Sequence, residues 1–167
     1  LPGFREIRQA RDEIVRIRLH LGPDIAILHG RLSPEAQRRA LAAPTEPSHR
    51  IILATNIAET SLTIPGVRAV VDSGLERRVR FHPRTGMDHW ETVEISAASA
   101  MQREGRAGRL GPGICLHWYR SAEPRRSFSL PEIMEADLAP LVLETALWGA
   151  VSPLDLTWLT PPPSGAL

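Results

Sequence analysis

Lysine is absent from this chain: all 20 basic residues are arginine. That excludes a phosphate-loop lysine, and neither a Gly-x-x-x-x-Gly-Lys-Ser/Thr loop nor an Asp-Glu-Ala-His segment occurs. The chain alone therefore lacks the parts needed to bind and hydrolyse a nucleotide. A lone cysteine, Cys115, excludes an internal disulfide; its apolar run, Gly113-Ile114-Cys115-Leu116-His117-Trp118, reads as a buried strand. No apolar run approaches the roughly 18 residues needed to cross a bilayer. The start, Leu1-Pro2-Gly3-Phe4, has neither the basic flank nor the apolar stretch of a signal peptide, so a cytoplasmic location is the expectation. The six histidines show no metal-ligand spacing. A net charge of +1 does not by itself predict a nucleic-acid partner. A GC-rich genome would produce the arginine bias with no functional reason, so where the arginines sit matters more than how many there are. Arginine is nevertheless the side chain whose planar fork suits phosphate.

What is present is an ordinary soluble composition, 43% hydrophobic and 23% charged over 167 residues, enough for one domain and a small appendage. Phe4, Ile7, Ile14, Ile17 and Leu21 recur at helical spacing, and Gly22-Pro23 ends that helix. Residues 24–29 have strand length. Ser33-Pro34-Glu35 supplies an N-cap, a proline at the first helical position and an acid in the first turn of a helix reaching about Leu41. After a loop over 43–48, residues 50–55 and 67–72 read as strands buried on both faces, as in a parallel sheet, and 114–119 as another. Strands alternating with helices predict an α/β fold. Residues 77–95, turning at Pro83-Arg84-Thr85-Gly86, predict an inserted antiparallel hairpin. Residues 121–129 form a polar linker, and Pro131 opens a helix that ends at Gly149. The stretch 126–167 is too short for its own core and reads as the beginning of another domain. Leu1-Pro2-Gly3 looks like the end of a strand whose body is missing, which predicts an open apolar groove beside residues 51–55, or another chain filling it.

The strongest motif is Gln102-Arg103-Glu104-Gly105-Arg106-Ala107-Gly108-Arg109. If helical, it places Gln102, Arg106 and Arg109 at i, i+4 and i+7 on one face. Two guanidiniums and a carboxamide suit a transferring phosphoryl group, the arginines neutralising charge and the amide orienting water. Gly105 and Gly108 remove side chains where a ligand or facing domain must come close. Two plainer readings stand beside this: a solvated arginine surface, or Ser99 and Gln102 as a capping box. The second motif is Ala54-Thr55-Asn56-Ile57-Ala58-Glu59-Thr60-Ser61-Leu62-Thr63-Ile64-Pro65-Gly66. Here a buried strand ends in short polar side chains, where open parallel sheets bind ligands; ordinary helix capping is the alternative.

Together with Leu1-Pro2-Gly3-Phe4-Arg5-Glu6-Ile7, these motifs resemble motifs VI, V and IV of the second RecA-like domain of DEAH-type superfamily 2 helicases. The resemblance covers nearly the whole chain. Val71-Asp72-Ser73-Gly74-Leu75-Glu76-Arg77, residues 80–86 and residues 114–117 are most similar to the HrpB branch, with HrpA the near alternative. The resemblance implies a RecA-like parallel sheet over 1–125, with the hairpin at 77–95 lying at the duplex junction. It also implies that residues 126–167 are a linker and the start of a winged helix. By the same resemblance Arg106 and Arg109 are arginine fingers, and Gln102 places the lytic water. Thr60, Ser61 and Gly105 sense the nucleotide, and His29, Gly30, Arg31, Thr55, Asn56 and Thr63 approach the nucleic-acid strand. Pro65 stands where, by the resemblance, many eukaryotic relatives have an acid, so any contact made by that acid is absent. ATP and Mg²⁺ would be shared with a preceding RecA-like domain, and the partner would be single-stranded RNA or DNA, held mainly by its backbone. Trp90 is the one aromatic expected to stack on a base. A remodelling translocase that does not unwind duplex, or a binding module that has lost the chemistry, are the competing readings.

Overall fold

Gly3, in extended backbone, opens helix α1 (Phe4–Arg16), whose inward face buries Ile7 completely. The computed structural model describes residues 1–17, 22–43, 49–59, 64–109, 111–119 and 124–167. Strand β1 (Asp24–Leu28) and helix α2 (Pro34–Leu41) follow, the latter capped as expected by the Ser33 hydroxyl, which accepts from the Ala36 N–H at 3.2 Å. Strand β2 (Arg50–Ala54) pairs parallel to β1 in the register Asp24↔Arg50 to Leu28↔Ala54. Helix α1 packs on β2 and α2 on β1. Ile7, Leu28 and Leu53 are the core of this layer, each side chain contributing about 1.5–3 kcal/mol by burial.

Strand β3 (Ala69–Asp72) pairs parallel with β6 (Ile114–His117), Ala69↔Ile114 to Asp72↔His117. Helix α3 (Ala97–Glu104) packs on β3. Among the described residues the two parallel pairs are separate: β2 is laddered only to β1, and β3 only to β6. The Leu1 nitrogen donates to the Ala54 carbonyl at 3.0 Å. The expected burial of strands on both faces does not hold, since Val71, Ile114 and Leu116 are each more than half exposed. Cys115 between them is half-buried, and burial, then Glu104 and Asp72, push its thiol pKa up.

The expected hairpin is present as β4 (Leu75–His82) and β5 (Met87–Glu94). The described residues form two compact units: 1–76 with 92–128, and 77–91 with 129–167. In the second unit the helix expected from Pro131 is broken. A 3₁₀ turn at Glu132–Met134 comes first, and helix α4 (Ala139–Trp148) starts only after Asp137, whose carboxylate accepts the Ala139 N–H at 3.0 Å. Pro140 is the reason: it lacks an N–H and fits a first turn, not a helix interior. Gly149, at φ 95°, ends α4 in the left-handed conformation. Among the described residues no helix is long and apolar enough to cross a membrane.

Candidate functional site: two strand-end loops and an arginine turn

Because Leu28 and Ala54 are register partners, the loops after β1 and β2 emerge together at the carboxyl end of the pair. One carries His29, Gly30 and Arg31; the other carries Thr55 and Asn56. The Arg31 N–H donates to His29 Nδ1 at 3.0 Å, and the imidazole meets the Phe4 ring edge-on at 5.2 Å between centroids. A ring nitrogen that accepts is unprotonated, in keeping with a His29 pKa lowered by burial and by the Arg31 charge. Gly30 has open space where a side chain would stand, and Asn56 is exposed. These loops can offer a strand's phosphates one guanidinium, an amide and backbone N–H groups.

Thr55 begins a single 3₁₀ turn, Asn56–Ala58, that delivers Glu59 to α3. The Ser99 hydroxyl donates to Glu59 Oε1, and Arg103 Nε donates to Oε2 at 3.0 Å. Arg106 donates its guanidinium to the Glu59 backbone carbonyl. On its other side Arg103 Nη1 reaches Asp72 Oδ1 at 2.8 Å and the Leu75 carbonyl at 3.2 Å, with the Glu76 carboxylate 4.0 Å from Nη2. Side-chain exposure is 11% for Arg103 and Glu59 and 2% for Asp72, so this is an interior ion network. Burial opposes the charge on Arg103, but Asp72 and Glu59 outweigh it and hold the guanidinium pKa above its usual value.

Helix α3 stops at Glu104, which corrects the expectation of one helical face carrying Gln102, Arg106 and Arg109. Gly105 is the C-cap; beyond it the Arg106 N–H bonds to the Arg103 carbonyl and the Ala107 N–H to the Glu104 carbonyl, making a tight turn. Two glycines in a short segment favour leaving the helix. Gly113 then lets the returning chain lie against Ala107, whose carbonyl a Cβ at Gly113 would overlap. Ala107 is buried at 3% exposure and pins the turn, while Gln102 and Arg109 are exposed. The capping-box alternative also falls. Ser96 is the N-cap, accepting the Ser99 N–H at 3.1 Å, and Ser99 uses its hydroxyl on Glu59.

Residues 4–111 match the family described as the helicase conserved C-terminal domain. The chain belongs to that family. It is 43% identical to the ATP-dependent RNA helicase HrpB of Escherichia coli (strain K12) over 98% of this chain and 20% of that protein. It is 39% identical to HrpA of the same organism, over 89% of this chain and 11% of that protein. With the probable ATP-dependent RNA helicase DHR1 of Saccharomyces cerevisiae the identity is 41%, over 84% of this chain and 11% of that protein. The crystal structure of the Escherichia coli DEAH/RHA helicase HrpB superposes with a TM-score of 0.91 at 44% identity, covering 98% of this chain and 21% of that one. A second HrpB crystal structure, of the Escherichia coli DExH-box NTPase, gives 0.84 at 43% identity, over 98% and 20%. This helicase C-terminal domain therefore spans about a fifth of HrpB's length, and the RecA-like α/β fold expected from the sequence holds.

The helicase motifs VI and V meet through residues to which the sequence reading gave no such role: Glu59, Ser99 and Arg103, with Asp72 on the far side of Arg103. A signal existed. Ser99, Arg103 and Arg106 share the i, i+4, i+7 spacing that had grouped Gln102, Arg106 and Arg109, and it is the first set that the fold gathers, on Glu59. Thr60, Ser61 and Thr63 lie outside the described residues. In the second unit, Arg77 stacks its guanidinium 5.5 Å from the Trp90 ring centre, and Trp90 is 56% exposed. Arg78 and Arg80 reach Glu135 at 3.3 and 3.5 Å, and the Phe81 N–H donates to the Glu135 carbonyl at 3.0 Å.

Proposed function

We propose that this chain is the second motor domain of a DEAH-type ATP-dependent helicase that tracks along single-stranded RNA; the names of HrpB and HrpA, ATP-dependent RNA helicases, support RNA as the substrate. Arg106 and Arg109 neutralise charge on the phosphoryl group in transfer, and Gln102 orients the attacking water. The observation that carries this reading is the arginine turn, held by Glu59 against the turn that follows β2. It ties Arg106 to the segment that carries Thr55 and Asn56, which supports reading the two motifs as one working unit. His29, Gly30 and Arg31 extend the track from the neighbouring strand end. Thr60 and Ser61 report the nucleotide state, and Thr63 continues the track.

The fit to ATP is partial by design. The chain supplies arginines and an amide but has no phosphate-loop lysine and no acidic Walker-type segment. The phosphate cradle and the Mg²⁺ ligands accordingly belong to the preceding RecA-like domain of the full-length protein, and hydrolysis occurs where that domain closes on this one. The hairpin, with Trp90 and Arg77 on it, meets the duplex junction, and residues 126–167 lead into a winged helix. The test is to measure ATP turnover with and without single-stranded RNA, and strand separation, in the full-length protein. RNA-stimulated turnover with unwinding is expected. Turnover without unwinding would favour a remodelling translocase, and no turnover would favour a binding module.

A further inference from the structure

We infer that Glu59 is a positioning residue that couples occupancy of the strand-end loop at Thr55 and Asn56 to the placement of Arg106, an inference that rests on reading Arg106 and Arg109 as arginine fingers. The segment between loop and finger is short and closed by its own hydrogen bonds, Ala58 N–H to the Thr55 carbonyl at 3.2 Å and Glu59 N–H to the Asn56 carbonyl at 2.9 Å. It therefore shifts as a unit. At one end Asn56 is exposed, where a backbone phosphate would be contacted. At the other, Glu59 is turned inward and holds three groups at once: the Ser99 hydroxyl, Arg103 Nε and, through its main-chain carbonyl, Arg106.

Separating Glu59 from Arg103 leaves an interior carboxylate without its cation, which is far more costly than moving the two together. A displacement of Thr55 and Asn56 on strand binding is thus handed to the end of α3. Arg103 is held on its far side by Asp72 at the end of β3 and by the Leu75 carbonyl at the start of β4, so the motion available is a pivot about that anchor. Ser99 and Arg103 lie one helical turn apart on the face of α3 that meets Glu59, which makes the grip two-point. Arg106 is gripped directly, and Arg109 follows in the same turn.

The test uses Glu59→Gln in the full-length protein, a change that keeps shape and main-chain carbonyl but removes the charge facing Arg103. The readout is the ratio of ATP turnover with an unstructured oligouridine to turnover without it. The ratio is expected to fall on the order of tenfold, the scale of coupling changes within such networks, with unstimulated turnover still measurable. A folded E59Q protein with the wild-type ratio would overturn the inference. So would an equal loss of both rates, the signature of fingers simply misplaced, or a wild-type protein indifferent to RNA. Should E59Q not fold, Ser99→Ala removes only one of the two grips. It is expected to lower the ratio by about threefold, the worth of one hydrogen bond, and an unchanged ratio would be equally fatal. Arg109→Ala distinguishes failure of the coupling from failure of the finger reading: it should slow turnover by about 10³-fold or more both with and without RNA, and a wild-type rate there would remove the finger reading itself.

Discussion

Replacing Arg103 by methionine keeps the shape of the side chain and deletes the cation that bridges the Glu59 and Asp72 carboxylates. Both carboxylates stay in the interior, since their side chains are 11% and 2% exposed. Removing one partner of a buried pair costs about 3–5 kcal/mol, because the remaining charges have nothing to offset their desolvation. The Leu75 carbonyl also loses a donor. The surface pairs of the chain are no guide to this magnitude. Arg16 and Glu13, each more than half exposed at 2.8 Å, are worth roughly 0–1 kcal/mol. Amide exchange along α3 is the suitable assay, because it reads local opening in a protein of several domains. A loss of 3–5 kcal/mol corresponds to roughly 10²- to 10⁴-fold faster exchange at α3 amides such as Ala100 and Gly105, whose N–H groups bond to the Ser96 and Met101 carbonyls. Combining Arg103→Met with Glu59→Gln, Asp72→Asn and Glu76→Gln neutralises the network and should recover more than half of the lost protection, because uncharged isosteres of these carboxylates carry no ionic desolvation cost. Exchange in Arg103→Met as slow as in the wild type would refute the claim that this network holds α3 in place.

Three further outcomes follow from the same geometry. His29 titrates below its ordinary value, so the native state binds fewer protons than the unfolded chain as pH falls below about 6.5. Its contribution to stability is therefore present above that pH and lost as pH falls through the folded pKa. An NMR titration should place the ring pKa below the model-peptide value and show the Arg31 amide losing protection as Nδ1 protonates; a pKa at or above 6.5 would contradict the bond. Gly113→Ala puts a methyl group into the Ala107 carbonyl, which should destabilise by about 1–3 kcal/mol and slow turnover by shifting the arginine turn, measurable by thermal unfolding and ATP hydrolysis. Arg31→Ala should weaken single-strand binding alike for different sequences and reduce the slope of log K against log salt by about one unit, in titrations at several salt concentrations.

Local chemistry was legible in the sequence wherever the cause was local. Ser33 and Pro34 start α2, Pro83 to Gly86 turns the hairpin, and Gly149 stops α4, because each acts on its own neighbours in the chain. The two signature motifs were likewise evident, yet their geometry was not. The end of α3 at Glu104 depends on Gly113 returning against Ala107, a contact between segments that no periodicity reveals. The role of Arg103 depends on Glu59 and Asp72, 44 and 31 positions away, and on which i, i+4, i+7 set the fold turns inward. Asp137 and Pro140 delayed α4 by a local rule that was available and overlooked. The apolar runs at β3 and β6 were read correctly as strands, but a run of apolar residues cannot say which of its faces this chain covers. Val71, Ile114 and Leu116 are open among the described residues.

The most direct test of the central claim is hydrolysis by Arg109→Ala in the full-length protein, under single-turnover conditions with nucleotide affinity measured separately. Removal of Arg109, as a finger acting on charge that develops only during transfer, is expected to slow turnover by about 10³-fold or more, with ATP affinity largely kept. A folded Arg109→Ala protein hydrolysing ATP at the wild-type rate would contradict the claim, and the arginine turn would then be a structural element of a nucleic-acid-binding module.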